Sequence, residues 1–226
     1  MNNFETFLFN LTKTKIPILD ASISFSTYTA LDLSETNIDL AAYEITNPES
    51  CQLYINTILN ENKAEVAYGG YLEKRSLYAD KSNFSSDTNA IRNIHLGIDY
   101  WAKAHTSVLA PINGTVHSFK NNNAVGDYGP TIILSHTIHE ITFYTLYGHL
   151  SLNSIQDLYI GKEFKQSEIL GYLGTPDINV NYAPHLHFQI IKDIGAYLGD
   201  YPGVCAESDL TFYAENCPNP NLLLGL

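Results

Sequence analysis

Charge is scarce in these 226 residues: Asp, Glu, Lys and Arg make up only 16%, and 12 basic residues face 24 acidic ones. The formal charge of -12 has the wrong sign for a nucleic-acid binder, which needs a basic footprint. It also argues against electrostatic adhesion to anionic membranes or cell walls. Long apolar runs are missing too. No stretch approaches the roughly 20 residues of a membrane span. The opening "MNNFETFLFNLTKTKIPILD" puts Glu5 before a short apolar patch that Asn10, Thr12 and Lys13 break up. A secretory leader instead starts basic and runs through about 7–15 uninterrupted apolar residues. The expectation is a cytoplasmic protein as written, or an extracytoplasmic one if a leader has been removed.

Cysteine is sparse and odd in number, with only Cys51, Cys205 and Cys217. That favours reduced thiols over a disulfide framework, a Cys205–Cys217 bridge being the alternative in an oxidising compartment. No CxxC zinc ribbon, phosphate-cradling GxxxxGK[ST] or GxSxG nucleophile elbow occurs. "HEITF" starts like a zincin helix, but Phe143 stands where the second His is required.

Tyr (16), Phe (10) and many Thr, Ile and Val are present, which tilts the chain toward β structure. Its length suits one medium domain with extensions, large enough to bury a core without staples. Residues 49–63 ("ESCQLYINTILNENK") carry Leu53, Ile55, Ile58 and Leu59 near helical spacing and are read as a short helix. From His95 onward short strand-like runs ("SVLAP", "GTVHSF", "TIILSH", "ITFYTLYGHL", "EILGYLG", "HLHFQIIK") alternate with turn-rich segments. The fold class is therefore mainly β, an antiparallel β-sandwich or barrel-like core. The last thirty or so residues are Pro-punctuated, with a helix in their middle.

Three pieces of this β region could do chemistry. In "HLHFQI", alternation puts His185, His187 and Gln189 on one face and Leu186, Phe188 and Ile190 on an apolar core face. The histidines then stand roughly 7 Å apart, so one can bind a metal while the other faces a reacting centre; a strand with a polar face fits as well. In "HLGID", Gly97 lets a turn bring His95 and Asp99 together. Two histidines and a carboxylate are a catalytic zinc set with a position left for water, although a surface turn would look the same. In "YTLYGHLS", His149 ends an aromatic strand, as a packed histidine often does. His105, His117, His136 and His139 are assigned to loops or strand faces, with His136 set apart as the candidate exception because it is close in sequence to the turn before the His149 strand.

Taken in order, HxxxD, a YxH strand end and HxH resemble the M23 (LytM/lysostaphin-type) zinc metallopeptidases. "HLGIDYWAKAHTSVLAPINGTV", "GPTIILSHTIHEITFYTLYGHLS", "SEILGYLGT" and "APHLHFQI" are each similar to a motif of that family, over about residues 68 to 192. The resemblance implies a core of duplicated-hybrid-motif type over 66–195. Residues 1–65 would then be an α/β N-terminal extension and 196–226 an irregular C-terminal tail packing on the core. It implies His95, Asp99 and His187 as ligands of one Zn²⁺ per chain, with His149 and His185 as metal-free catalytic histidines. Gln189, on the ligand face, suits a partner for a ligand. The implied partner is a peptide substrate, peptidoglycan peptides by default. The loop "TPDINVNYAP" replaces the family's Gly- and Ser/Thr-rich turn beside the groove. Two other readings share these residues: an intracellular peptidase or amidase acting on a small peptide-like metabolite, and an inactive binding or regulatory module.

Overall fold

The computed structural model describes residues 1–77, 91–124, 126–179 and 182–226. Helix α1 (Asn3–Leu11) starts from a capping box: the Asn2 side chain accepts from Glu5 N, and the Glu5 carboxylate accepts from Asn2 N. Its buried Phe4 and Leu8 lie one turn apart, and Phe4 meets Phe143 edge-on at 5.7 Å.

Strand β1 (Tyr28–Ala30), helix α2 (Pro48–Glu61) and strand β2 (Val66–Gly69) form a unit. β1 and β2 pair parallel, Tyr28 opposite Val66, and a parallel pair needs a crossover such as the one containing α2. This is where the sheet departs from the antiparallel expectation. α2 forms because the Asn47 side chain caps Ser50 N and Pro48 presets the first turn. Cys51, Tyr54 and Ile55 recur at helical spacing and bury one face.

The chain continues through β3 (Arg92–His95), β4 (Ile98–Trp101), β5 (Ser107–Leu109), β6 (Gly114–Asn122), β7 (Gly129–Ile138) and β8 (Ile141–Gly148). Next come α3 (Asn153–Gln156), β9 (Glu163–Phe164), β10 (Ile169–Tyr172), β11 (His185–Ile191), β12 (Val204–Ala206), α4 (Leu210–Asn216) and α5 (Asn221–Leu224). One eight-stranded sheet runs β1-β2-β4-β11-β8-β7-β6-β9, while β10 pairs with β5 and β12 with β3. The fold is mainly β, as its composition implies. Among the described residues no helix is long and apolar enough to cross a membrane.

One cluster holds Leu186, Phe188 and Ile190 of β11 against Tyr100, Tyr147 and Ile132 of neighbouring strands. Leu8, Ile18 and Leu19 from the start of the chain and Leu223 and Leu224 from its end belong to the same cluster. Each such side chain contributes about 1.5–3 kcal/mol on burial, so both ends of the chain share in stabilising the strands that carry the site.

His136 belongs to this interior rather than to the site. Its ring stacks on Phe143 at 5.1 Å, Nδ1 donates to the Asn113 carbonyl at 2.8 Å, and Nε2 pairs with the Thr145 hydroxyl at 2.7 Å. Burial holds its pKa down at about 4 against the Asn113 bond. The unfolded residue, near pKa 6.5, takes a proton first as pH falls. Full stability is therefore present above about pH 6.5 and is lost toward pH 4, by at most about 3 kcal/mol through this residue. Replacing His136 by Gln keeps a donor and an acceptor without the titration. Urea unfolding at pH 7 and pH 4.5 should show a smaller acid loss in the variant; equal losses would refute the assignment.

Candidate metal centre

The register of β11 builds the site. His187 lies opposite Asp99 of β4 on one side and Gly148 of β8 on the other, and His185 lies opposite Trp101. His95 ends β3, and the Leu96–Gly97 turn brings it onto Asp99. A Cβ at Gly97 would sit 2.6 Å from the Phe188 carbonyl oxygen and 2.8 Å from the His187 ring. Gly97→Ala should therefore displace His187 or β11 and cost about 1–3 kcal/mol. Thermal unfolding checks this, and an unchanged midpoint would show that the turn yields freely.

Three donor atoms converge. His95 Nε2 lies 2.8 Å from His187 Nδ1 and 3.2 Å from Asp99 Oδ1, and His187 Nδ1 lies 3.1 Å from that oxygen. All three residues are buried. The protons of both rings are directed elsewhere: His95 Nδ1 donates to the Gly70 carbonyl at 2.9 Å, and His187 Nε2 donates to Gln189 Oε1 at 2.9 Å. The Gln189 amide is oriented in turn, its Nε2 donating to the Pro202 carbonyl and to Cys217 Sγ, each at 3.2 Å. Two imidazole lone pairs and a carboxylate thus face one point without a proton between them. A cation resolves that repulsion. Tetrahedral zinc, with bonds of about 2.0–2.1 Å, spaces its ligand atoms by about 3.3 Å, close to the edges of this triangle.

Electrostatics agree. Burial, and next the Arg75 charge, lower the pKa of His95 to about 4. Burial works to raise Asp99, but His95 and Arg75 outweigh it and hold the carboxyl well below its usual range. At neutral pH His95 is a neutral donor and Asp99 an anion.

His149 and His185 flank the triangle with ring centroids 4.0 Å apart. His185 Nδ1 donates to the Ala183 carbonyl at 2.7 Å, which leaves Nε2 as the acceptor, 4.0 Å from Asp99 Oδ1. Trp101 stacks on the His185 ring at 5.8 Å. His149 follows β8 with φ +62, a left-handed conformation that costs a non-glycine residue about 1 kcal/mol or more. Its buried Nδ1 has no hydrogen-bond partner among the described residues. Burial, then the neighbouring histidines, hold His149 well below its ordinary pKa, and burial lowers His185 as well. Both rings are bases at neutral pH.

All five histidine and aspartate positions singled out in the sequence meet here, with Gln189 behind His187. His117 lies on β6, and His105 and His139 are exposed. Four supporting groups were not anticipated: the Gly70 carbonyl, Arg75, Trp101 and Tyr128. The Tyr128 hydroxyl lies 3.5 Å from His187 Nε2 and its ring packs on His149 at 5.8 Å. Main-chain carbonyls leave no trace in a sequence, and the three side chains carry no local pattern that ties them to the histidines.

A cavity of about 300 Å³ opens over these side chains. Leu33, Cys51 and Leu77 line it from the N-terminal side and Tyr197, Tyr201 and Pro202 from the C-terminal side. In the loop before β11, Val180 and Asn181 lie outside the described residues.

Peptidase family M23 matches residues 93–197. No curated protein matches the chain. Among solved structures, the chain is similar to the catalytic domain of the antimicrobial peptidase lysostaphin from Staphylococcus simulans, at 22% identity and TM-score 0.36 over 54% of this chain and 80% of that one. It is also similar to a putative peptidase M23 from Pseudomonas aeruginosa, at 18% identity and TM-score 0.38 over 58% of this chain and 44% of that one. A zinc-containing peptidase from Vibrio cholerae matches at 18% identity and TM-score 0.37, over 54% of this chain and 31% of that one. The chain thus spans less than half of the latter two.

Proposed function

We propose, from the match of residues 93–197 to peptidase family M23, that the chain is a zinc-dependent endopeptidase whose substrates are peptidoglycan peptides. The observation that carries the metal is the triangle of His95 Nε2, Asp99 Oδ1 and His187 Nδ1, with both ring protons tied to Gly70 and Gln189. Bound zinc supplies Lewis acidity toward a peptide carbonyl and lowers the pKa of water to about 7.

The chain's own groups do the rest. His95, Asp99 and His187 would hold the ion at the floor of the cavity that they line. The neutral His149 and His185 divide two tasks between them: accepting a proton from the attacking water and returning it to the leaving amine. His185 is prepared for acceptance because Ala183 fixes its proton on Nδ1. Tyr182 packs edge-on against both rings, which keeps bulk water from them.

A second reading, a peptidase or amidase acting on a small peptide-like compound, is favoured by the walls that both chain extensions raise around the cavity. Elemental analysis of the purified protein, alongside digestion of purified peptidoglycan and of short peptides, decides. About one zinc per chain with muropeptide release supports the first reading. Zinc with cleavage of short peptides alone supports the second. Failure to take up zinc even on reconstitution would leave a binding module.

A further inference from the structure

Arg75 lies outside the family-matched residues, in the segment that joins β2 to β3. Its side chain is almost solvent-free, at 1% exposure. NH1 donates to Asp99 Oδ2 at 2.6 Å, and Nε donates to Glu73 Oε2. The other oxygen of Glu73 accepts from Leu33 N at 3.1 Å, which anchors this pair to the N-terminal segment. The guanidinium also lies 5.7 Å from the Trp101 ring, the indole that stacks on His185. In the same segment Gly70 turns with φ +104, and a Cβ there would overlap the Arg75 guanidinium and come within 3.0 Å of His95 Nδ1.

We propose that Arg75 is a positioning residue of the metal centre: by holding Oδ2 of Asp99 it confines that carboxylate to one-oxygen ligation through Oδ1 and tightens the hold on the ion. This rests on the reading that His95, Asp99 and His187 bind zinc. An unrestrained carboxylate can rotate, swing away or present both oxygens. A charge-assisted bond to one oxygen removes those options, and such bonds are shorter and stronger than neutral ones. A cation beside a metal ligand would by itself repel the incoming ion. Glu73 cancels that charge, so the Glu73–Arg75 pair is neutral as a unit and its orienting effect remains.

The test removes the pair without changing net charge. In the double variant Glu73→Gln/Arg75→Met, competition against a chromophoric chelator should show zinc held about 10–100-fold more weakly, the range typical of lost outer-sphere support. The thermal midpoint of the metal-free protein is measured in parallel. A purely structural role would lower that midpoint and leave the zinc dissociation constant unchanged, which would overturn the proposal. Should the double variant fail to fold, Arg75→Lys carries the test, since it keeps the charge and loses the planar fork. It should weaken zinc about tenfold, and wild-type affinity would overturn the proposal. Cobalt in place of zinc adds a spectroscopic reading: if Asp99 turns to present both oxygens, the visible bands weaken as coordination rises above four. Wild-type protein that takes up no zinc would sink the metal-centre reading itself, and this inference with it.

Discussion

Replacing His149 by alanine is expected to leave about one zinc on the chain and to lower peptide hydrolysis by about 10²–10⁴-fold, the usual contribution of a positioned acid or base. The ring is not part of the ligand triangle, yet it lies 4.0 Å from His185 at the cavity and presents a buried nitrogen without a partner among the described residues. Held in a left-handed conformation, it has been placed at some conformational cost. Removing it should therefore change turnover far more than fold or metal content. Steady-state kinetics with a peptide substrate and elemental analysis of the same preparation check this together. Activity within tenfold of wild type would take His149 out of the chemistry; loss of zinc would make it a ligand instead.

The complementary pair, Asp99→Ala and His187→Ala, should abolish zinc binding and with it all hydrolysis. Each leaves only two of the three converging donors, too few to compete with water for the ion. The two should differ in stability. Asp99→Ala removes one carboxylate from the buried Arg75, and breaking a buried ion pair costs about 3–5 kcal/mol. His187→Ala loses a ring bonded to Gln189 and leaves that amide oxygen without its donor, at about 1–3 kcal/mol. Asp99→Asn separates the effects by keeping the shape and losing the charge. Stoichiometric zinc retained by both alanine variants would count decisively against this centre.

The strand carrying His185 and His187 was legible in the sequence because period-two alternation sorts its side chains without any outside information. Leu186, Phe188 and Ile190 reach the core, while His185, His187 and Gln189 face the site. The turn at Gly97 was legible for a similar reason, since the residues it joins are neighbours in the chain. What could not be read depends on register. The parallel β1–β2 pair involves three residues of β1, too few to show a period. Arg75 meets Asp99 only because the segment before β3 folds back along it, with Lys74 bridging Ile94. Nothing in the local sequence around Arg75 names its partner.

The border of that sheet bears on how the protein can be cut and reused. β4, which carries Asp99, is paired with β11 on one side and β2 on the other, Gly69 standing opposite Asp99 itself. The stretch recognisable by kinship, residues 93–197, contains β4 and β11 but not β2. Excised at those limits, β4 would present a row of open amide and carbonyl groups, an adhesive margin of the kind that recruits other chains. The portion that matches the family is thus smaller than the portion that must travel together. A graft of this centre onto another scaffold has to bring β2 and the Gly70–Arg75 segment along with the motif-bearing strands.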